Sequence, residues 1–201
     1  MNRFVSLIML IGIAIQFSIF SAPTPAYPMF QNLVEDQRQE AIIYGKRGIR
    51  TEVSEFIEEW SVNKGLDGFA FITTEFLALA YAARTSALRM ADLSNYDIED
   101  TLAKSSGKLV FRVTLFGDSP DFAREYTAVI LAGDQTIPTT FWSNPGGEPY
   151  GDGETSPTYV TDSDFFFPSE GIDPEGKITL VIQNESGEDV TRFAFDLGSL
   201  R

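Results

Sequence analysis

The chain has 201 residues, with 29 acidic side chains against 15 basic ones, no histidine and no cysteine. These absences exclude Ser-His-Asp and Cys-His catalysis, thiolate chemistry and disulfide bonds. The net charge of −14 argues against duplex nucleic acid or anionic lipid as a partner, because phosphate binding requires clustered lysine and arginine.

The first 26 residues have the pattern of a secretory signal peptide. A positive start at Met1-Asn2-Arg3 is followed by an apolar run from Phe4 to Phe20 and then by small residues and prolines up to Ala26. This order predicts export, to the periplasm or the medium, with cleavage after Ala26. The alternative is an uncleaved anchor, since seventeen residues lie at the short end of the spanning range. After cleavage we expect no association with the membrane.

Residues 27–106 are predicted to be helical. Val53, Phe56, Ile57 and Trp60 form one apolar stripe, which predicts an amphipathic helix capped by Thr51. The other segments with helical character are 31–43, 73–91 and 95–104, the last capped by Ser94. The segment 73–91 is apolar on most faces, which is typical of a buried helix.

Residues 107–201 are predicted to form β-strands. From Lys108 onwards apolar side chains alternate with a period of two, and six strand segments follow the pattern. They are 108–116, 126–132, 136–142, 159–167, 177–183 and 190–197. Pro138 cannot donate to a ladder, so its strand must be an edge or contain a bulge. Helices before strands indicate an α+β fold, with N-terminal helices packed on a C-terminal antiparallel β-sandwich of immunoglobulin-like character. We expect both parts to share one core.

The stretch between Arg124 and Lys177 contains ten acidic residues and no basic one. Carboxylates without a counter-charge repel each other, so they either spread into solvent or recruit a cation. Calcium prefers several hard oxygen ligands on flexible loops. The candidate calcium ligands are Asp152, Glu154, Asp162 and Asp164. The alternative is an ordinary solvated acidic loop.

Three aromatic residues, Trp142, Tyr150 and Tyr159, lie in or beside the same loop. Exposed rings next to acidic hydrogen-bond acceptors are suited to stacking on sugars and binding their hydroxyls. They are the candidate ligand-binding residues. The alternative is that Trp142 and Tyr159 point from their strands into the core.

The run Phe165-Phe166-Phe167 predicts an aromatic residue that faces away from the core if the segment is extended. Side chains alternate along a strand, so at least one of the three rings must face away from the core. An exposed ring there favours a protein-binding surface, unless a loop or helix covers it.

These observations favour an exported, non-catalytic module that binds a protein partner or associates with the cell envelope. A carbohydrate-binding module, with or without calcium, is the first alternative. A hydrolase that uses two carboxylates is the second, although no pair of acids stands out and no catalytic residue is assigned.

Overall fold

In the described part of the chain, four α-helices precede most of the strands. The computed structural model describes residues 33–151 and 155–201, so the predicted signal peptide lies outside the described residues. The helices are α1 (Glu35–Arg47), α2 (Val53–Phe56), α3 (Glu75–Leu88) and α4 (Asn95–Ser105). Single 3-10 turns lie at Gly48–Arg50, Glu58–Trp60, Gly65–Asp67 and Leu197–Ser199. Within the described residues, no helix combines the length and the apolar character needed to cross a membrane.

The starts of α3 and α4 follow from capping chemistry. The Thr74 hydroxyl accepts a hydrogen bond from the Leu77 N–H at 3.1 Å. The Ser94 hydroxyl accepts one from the Asp97 N–H at 3.2 Å, and the Asp97 carboxylate accepts from the Ser94 N–H in return. This reciprocal pair satisfies two orphan donors and confirms Ser94 as the predicted cap.

The helix predicted after Thr51 is much shorter than its apolar stripe indicates. Only Val53–Phe56 is α-helical, and a 3-10 turn over Glu58–Trp60 leads directly into a strand. Glu52 occupies the N-cap position, so Thr51 as the cap was wrong. Phe56, Ile57 and Trp60 are nevertheless buried, because the short helix and the 3-10 turn after it place these three side chains on the same side of the segment.

Within residues 33–151 and 155–201, ten antiparallel strands form two sheets. The six-stranded sheet has the order β1 (Ser61–Asn63), β2 (Phe69–Thr73), β3 (Lys108–Gly117), β8 (Tyr159–Pro168) and β6 (Phe141–Ser143), and β7 (Glu148–Pro149) also pairs with β8. The four-stranded sheet has the order β10 (Asp189–Asp196), β9 (Lys177–Gln183), β4 (Thr127–Ala132) and β5 (Gln135–Pro138). Helices followed by an antiparallel sandwich confirm the α+β prediction, with more strands than the six expected.

The predicted strand 136–142 is divided between the two sheets. Pro138 ends β5 at the edge of the four-stranded sheet, as its missing N–H requires. The next two residues then donate to opposite sheets, since the Thr139 N–H bonds the Ala128 carbonyl and the Thr140 N–H bonds the Phe166 carbonyl. The chain therefore crosses the sandwich at this point and continues as β6.

The core lies between the inner faces of the two sheets and extends to the helices. Phe111 and Phe165 from the six-stranded sheet are fully buried, as are Leu180 and Phe193 from the other sheet. Buried residues of the helical part, including Trp60, Phe76 and Leu79, belong to the same apolar cluster. Continuous burial of this kind supplies the main favourable term in folding.

Arg201 ties the helices to the end of the sandwich. Its carbonyl oxygen accepts hydrogen bonds from the Trp60 indole at 3.1 Å and from the Thr74 hydroxyl at 3.0 Å. Its guanidinium lies 5.2 Å from the Tyr44 ring centroid and 2.8 Å from the Glu59 carboxylate. The helical layer is thus fixed against the last turn after β10.

Candidate functional site

The six-stranded sheet has an inner face buried in the sandwich and an outer face that turns away from it. Paired residues on neighbouring strands share a face, so the strand register assigns each side chain. We use the name outer face for the surface formed by Arg112, Thr114 and Phe116 of β3, Val160, Asp162, Asp164 and Phe166 of β8, Phe141 of β6, Glu148 of β7 and the adjoining Tyr150.

One end of the outer face is an exposed aromatic pair. Phe165 and Phe167 are buried, whereas Phe166 is half-buried on the outer face, which confirms the alternation predicted from the sequence. Phe166 lies opposite Phe141 in the register, and the two ring centroids are 5.3 Å apart. Phe141 is 60% exposed, so this pair presents apolar surface to solvent.

The other end of the outer face has a second aromatic pair. Phe116 lies opposite Val160, and its ring centroid is 4.9 Å from that of Tyr150 in an edge-on arrangement. The Tyr150 N–H donates to the Thr158 carbonyl at 2.8 Å, which fixes the backbone that carries the ring. The two aromatic pairs are separated by the length of β8 from Val160 to Phe166, about 20 Å at the usual rise per residue.

A charged and hydrogen-bonded centre lies between the two aromatic pairs. Arg112 binds Asp164 through two hydrogen bonds of 2.8 and 2.9 Å, and the Thr114 hydroxyl donates to Asp162 at 2.6 Å. The bond to Asp164 raises the pKa of Arg112 above its ordinary value. The counter-charge for Asp164 therefore comes from β3, across the sheet, where sequence proximity could not reveal it.

The helical layer borders the outer face on the side of β2 and β3. Tyr81 of α3 interacts electrostatically with Arg112, and its ring contacts Phe56. Burial raises the pKa of the Tyr81 hydroxyl, and the positive charges of Arg84 and Arg112 partly oppose that rise. Phe141, the most exposed ring of the outer face, lies on the opposite side, in β6.

A cleft of about 400 Å³ opens at the edge of β8 beside the second aromatic pair. It is lined by Thr114, Pro145, Gly146, Glu148, Val160, Thr161 and Asp162. Volumes of this order lie within the range of small-molecule sites.

The turn that forms the outer wall of the cleft is held by several hydrogen bonds. The Thr161 hydroxyl donates to the Pro145 carbonyl at 2.9 Å, and the Gly147 N–H donates to the Pro120 carbonyl at 2.7 Å. The Asn144 amide donates to the Tyr126 carbonyl at 2.8 Å. The wall is therefore preorganised, which lowers the cost of ordering it when a ligand binds.

The structure does not bring the predicted sugar-binding residues Trp142, Tyr150 and Tyr159 onto one surface. Trp142 lies opposite Phe165 and Tyr159 lies opposite Gly117, which puts both at inner-face positions of the sheet, about 20 Å apart along β8. Tyr150 contacts Phe116 on the outer face instead. Trp142 and Tyr150 are 46% and 38% exposed, and Tyr159 is half-buried. Ligand binding by the three rings stays a prediction.

The predicted calcium ligands fall partly outside the described residues. Asp152 and Glu154 belong to the segment 152–154, and Asp162 and Asp164 are bound to Thr114 and Arg112. Among residues 33–151 and 155–201, no group of three or more potential ligands is placed to hold a metal ion. Calcium binding by these four acids stays a prediction.

Comparisons with known proteins give only distant similarities. No family model and no curated protein matches the sequence. A protein of unknown function from Burkholderia pseudomallei K96243 aligns over 84% of this chain and 96% of its own, at 9% identity and a TM-score of 0.46.

The archaellum periplasmic stator protein FlaG from Sulfolobus acidocaldarius aligns over 45% of this chain and 88% of its own, at 14% identity and a TM-score of 0.30. A chain of the FlaF and FlaG stator complex from the same organism aligns over 44% and 77%, at 11% identity and a TM-score of 0.30. At these scores the likeness carries no argument about function, so the function is argued from the surface of this chain.

Proposed function

We propose that this protein is an exported, non-catalytic module that binds a protein partner on its outer face. The exposed Phe141–Phe166 pair beside the Arg112–Asp164 ion pair is the observation that carries the proposal. Aromatic and arginine side chains are enriched at protein interfaces and supply most hot spots. Export is proposed from the signal-peptide pattern of residues 1–26.

The chemistry of the rings favours a protein over a sugar as the ligand. Three of the four rings on the outer face are phenylalanines, which offer no polar group to a sugar hydroxyl. The two central carboxylates already accept hydrogen bonds from Arg112 and Thr114. Such a surface suits apolar side chains at its two ends and a hydrogen-bonding segment at its centre.

The net charge of the strand region indicates the charge expected of the partner. Residues 107–201 contain 16 acidic and 6 basic side chains, a balance of −10. A surface of this sign attracts a basic partner and speeds its encounter, and it repels a second copy of the same chain. The proposed partner is therefore a basic protein that offers exposed apolar side chains.

The test begins with a photo-crosslinking residue at Phe141 in the organism that makes the protein. Val190 of β10 is the matched control, because it is an apolar residue that is 44% exposed on the other sheet. We expect a protein that is captured from position 141 and not from position 190.

The captured protein is then purified and titrated against variants. Phe141→Ser with Phe166→Ser should weaken binding by tenfold or more, as expected for an aromatic hot spot of about 2 kcal/mol. Val190→Ser should bind like wild type. Unchanged affinity in the double variant would exclude the outer face, and saturable binding to a glycan alone would replace the proposal with the carbohydrate one.

A further inference from the structure

We propose further that the cleft beside β8 receives a lysine or arginine side chain of the partner, an inference that rests on the proposed function. The cleft exists because the edge of β8 is paired discontinuously. β6 pairs with residues 164–166 and β7 pairs with residues 159–160. Residues 161–163 between them have no strand partner on that edge in the described chain, and the turn at 145–147 meets them through the Thr161 hydroxyl instead of a backbone ladder.

Two carboxylates lie at the cleft on the same face of the sheet. Glu148 is directly opposite Val160, and Asp162 is the next outer-face residue along β8. Diagonal neighbours of this kind are about 7–8 Å apart, so one cation fits between their carboxylates. Both residues are exposed, and Glu148 has neither an ion pair nor a hydrogen bond among the described residues.

The protein's own cations neutralise this pair only in part, since Arg112 interacts with Asp162 through charge without a hydrogen bond and no ion pair reaches Glu148 among the described residues. Arg112 is the basic residue nearest to it on the outer face, and both of its hydrogen bonds go to Asp164. The sequence contains no lysine or arginine between Arg124 and Lys177. Charge complementarity therefore favours a positive group supplied by the partner.

The surroundings of the two carboxylates suit a long cationic side chain in particular. Val160 lines the cleft, and the Phe116–Tyr150 pair adjoins it through the register of Phe116 with Val160. The aliphatic stem of lysine or arginine packs on such surface while its charged end reaches the carboxylates. Ring faces also attract the cation directly.

The experiment uses a pair of short peptides as the probe. One is acetylated and amidated Val-Phe-Lys-Val-Phe, and the other has norleucine in place of the lysine. Each is titrated into the ¹⁵N-labelled protein, with the amide shifts of the cleft residues as the readout. The variants are Glu148→Gln and, as the control for the same loss of charge, Glu185→Gln in the exposed turn between β9 and β10.

We expect Glu148→Gln to lower the affinity for the lysine peptide by about fivefold, the size of one charge-assisted contact at an exposed site. The affinity for the norleucine peptide should not change. Glu185→Gln should match wild type with both peptides. Equal weakening of the two peptides by Glu148→Gln would overturn the cleft as a cation site.

A separate result distinguishes the cleft from the face around it. Suppose that Glu148→Gln binds the lysine peptide like wild type, while Phe141→Ser with Phe166→Ser abolishes binding. The cation site is then overturned, and the outer face remains the proposed binding surface. If neither peptide shifts any outer-face amide, the cation site is again overturned. Crosslinking at position 141 then decides whether the outer face binds a partner.

Discussion

The inner and outer faces of β8 differ in what their residues contribute. Between positions 161 and 167 the inner face holds Thr161, Ser163, Phe165 and Phe167, all of them buried. The outer positions hold Val160, Asp162, Asp164 and Phe166, all at least partly exposed. Burial of the inner-face side chains stabilises the fold, whereas the rings and charged groups of the outer face stay partly exposed to solvent after folding. Alternate side chains of β8 thus belong to the core and to the proposed partner-binding surface.

The sharpest test of this difference exchanges neighbouring phenylalanines for alanine. Phe165→Ala removes a fully buried ring and should lower the free energy of unfolding by about 3–5 kcal/mol. Phe166→Ala removes a half-buried ring and should cost less than half as much. Urea denaturation followed by circular dichroism measures both. Equal costs would show that the outer face is as much part of the folding core as the inner one.

A pair of glycines in the turn at the cleft gives the next largest effect. A Cβ on Gly147 would lie 3.2 Å from the Tyr159 Cβ and 3.4 Å from the Pro120 carbonyl oxygen, so Tyr159 or the turn must move by a few tenths of an ångström. Gly147→Ala should therefore cost about 1–2 kcal/mol, within the range for overpacking, and also weaken binding of the lysine peptide.

Gly146→Ala is the control for that substitution, because its Cβ would meet nothing closer than 3.9 Å. Thermal unfolding and the peptide titration compare the two variants. If both behave alike, the position of the turn does not depend on the close approach at Gly147.

A polar residue on the inner face predicts a gain in stability. The Ser163 hydroxyl is fully buried and has no hydrogen-bond partner among the described residues, whereas the neighbouring outer-face acids, Asp162 and Asp164, are satisfied. An unsatisfied buried group costs about 1–3 kcal/mol, so Ser163→Ala should raise the free energy of unfolding by about 1 kcal/mol. Chemical denaturation of this variant beside Thr136→Ala, an exposed site in β5, checks the sign. A loss of stability at position 163 would mean that the hydroxyl has a partner such as a buried water.

Local chemistry made parts of the fold predictable. The strand at 177–183 was predicted with its observed bounds, because a regular apolar pattern there ends at the hairpin sequence Asn184-Glu185-Ser186-Gly187. α4 followed from Ser94 and its capping pattern. In both cases the signal lies within a few residues of the element that it specifies.

The elements that were missed depend on distant partners. β1 and β2 are three and five residues long, and β2 is stabilised by pairing with β3 about 40 residues later in the chain. The candidate site shows the same limit. The outward-facing, half-buried Phe166 followed from alternation. Its partner Phe141, the Arg112–Asp164 pair and the cleft arise from register between strands that are distant in sequence.

A buried acid in the helical layer extends the comparison between buried and exposed positions. Glu75 in the first turn of α3 is 5% exposed, and its carboxylate accepts a hydrogen bond from the Leu33 N–H at 3.3 Å. Burial raises the pKa of Glu75, opposed in part by that hydrogen bond and by Arg38. The folded protein therefore holds the proton more tightly than the unfolded chain does.

The sign of the pH dependence follows from this raised pKa. The stabilisation that it contributes is complete below the ordinary glutamate pKa and is lost as the pH rises through the higher pKa of the folded state. Glu75→Gln has no such group to titrate. Its free energy of unfolding relative to wild type should therefore increase between the ordinary glutamate pKa and the raised pKa of the folded state, and level off above it. Urea denaturation of both proteins from about pH 4 to 8 measures the difference, with the exposed Glu58→Gln as the control. A difference that decreases with pH would mean that the Leu33 N–H and Arg38 outweigh burial and stabilise the carboxylate, and a constant difference would mean that these effects cancel; either result contradicts the raised pKa.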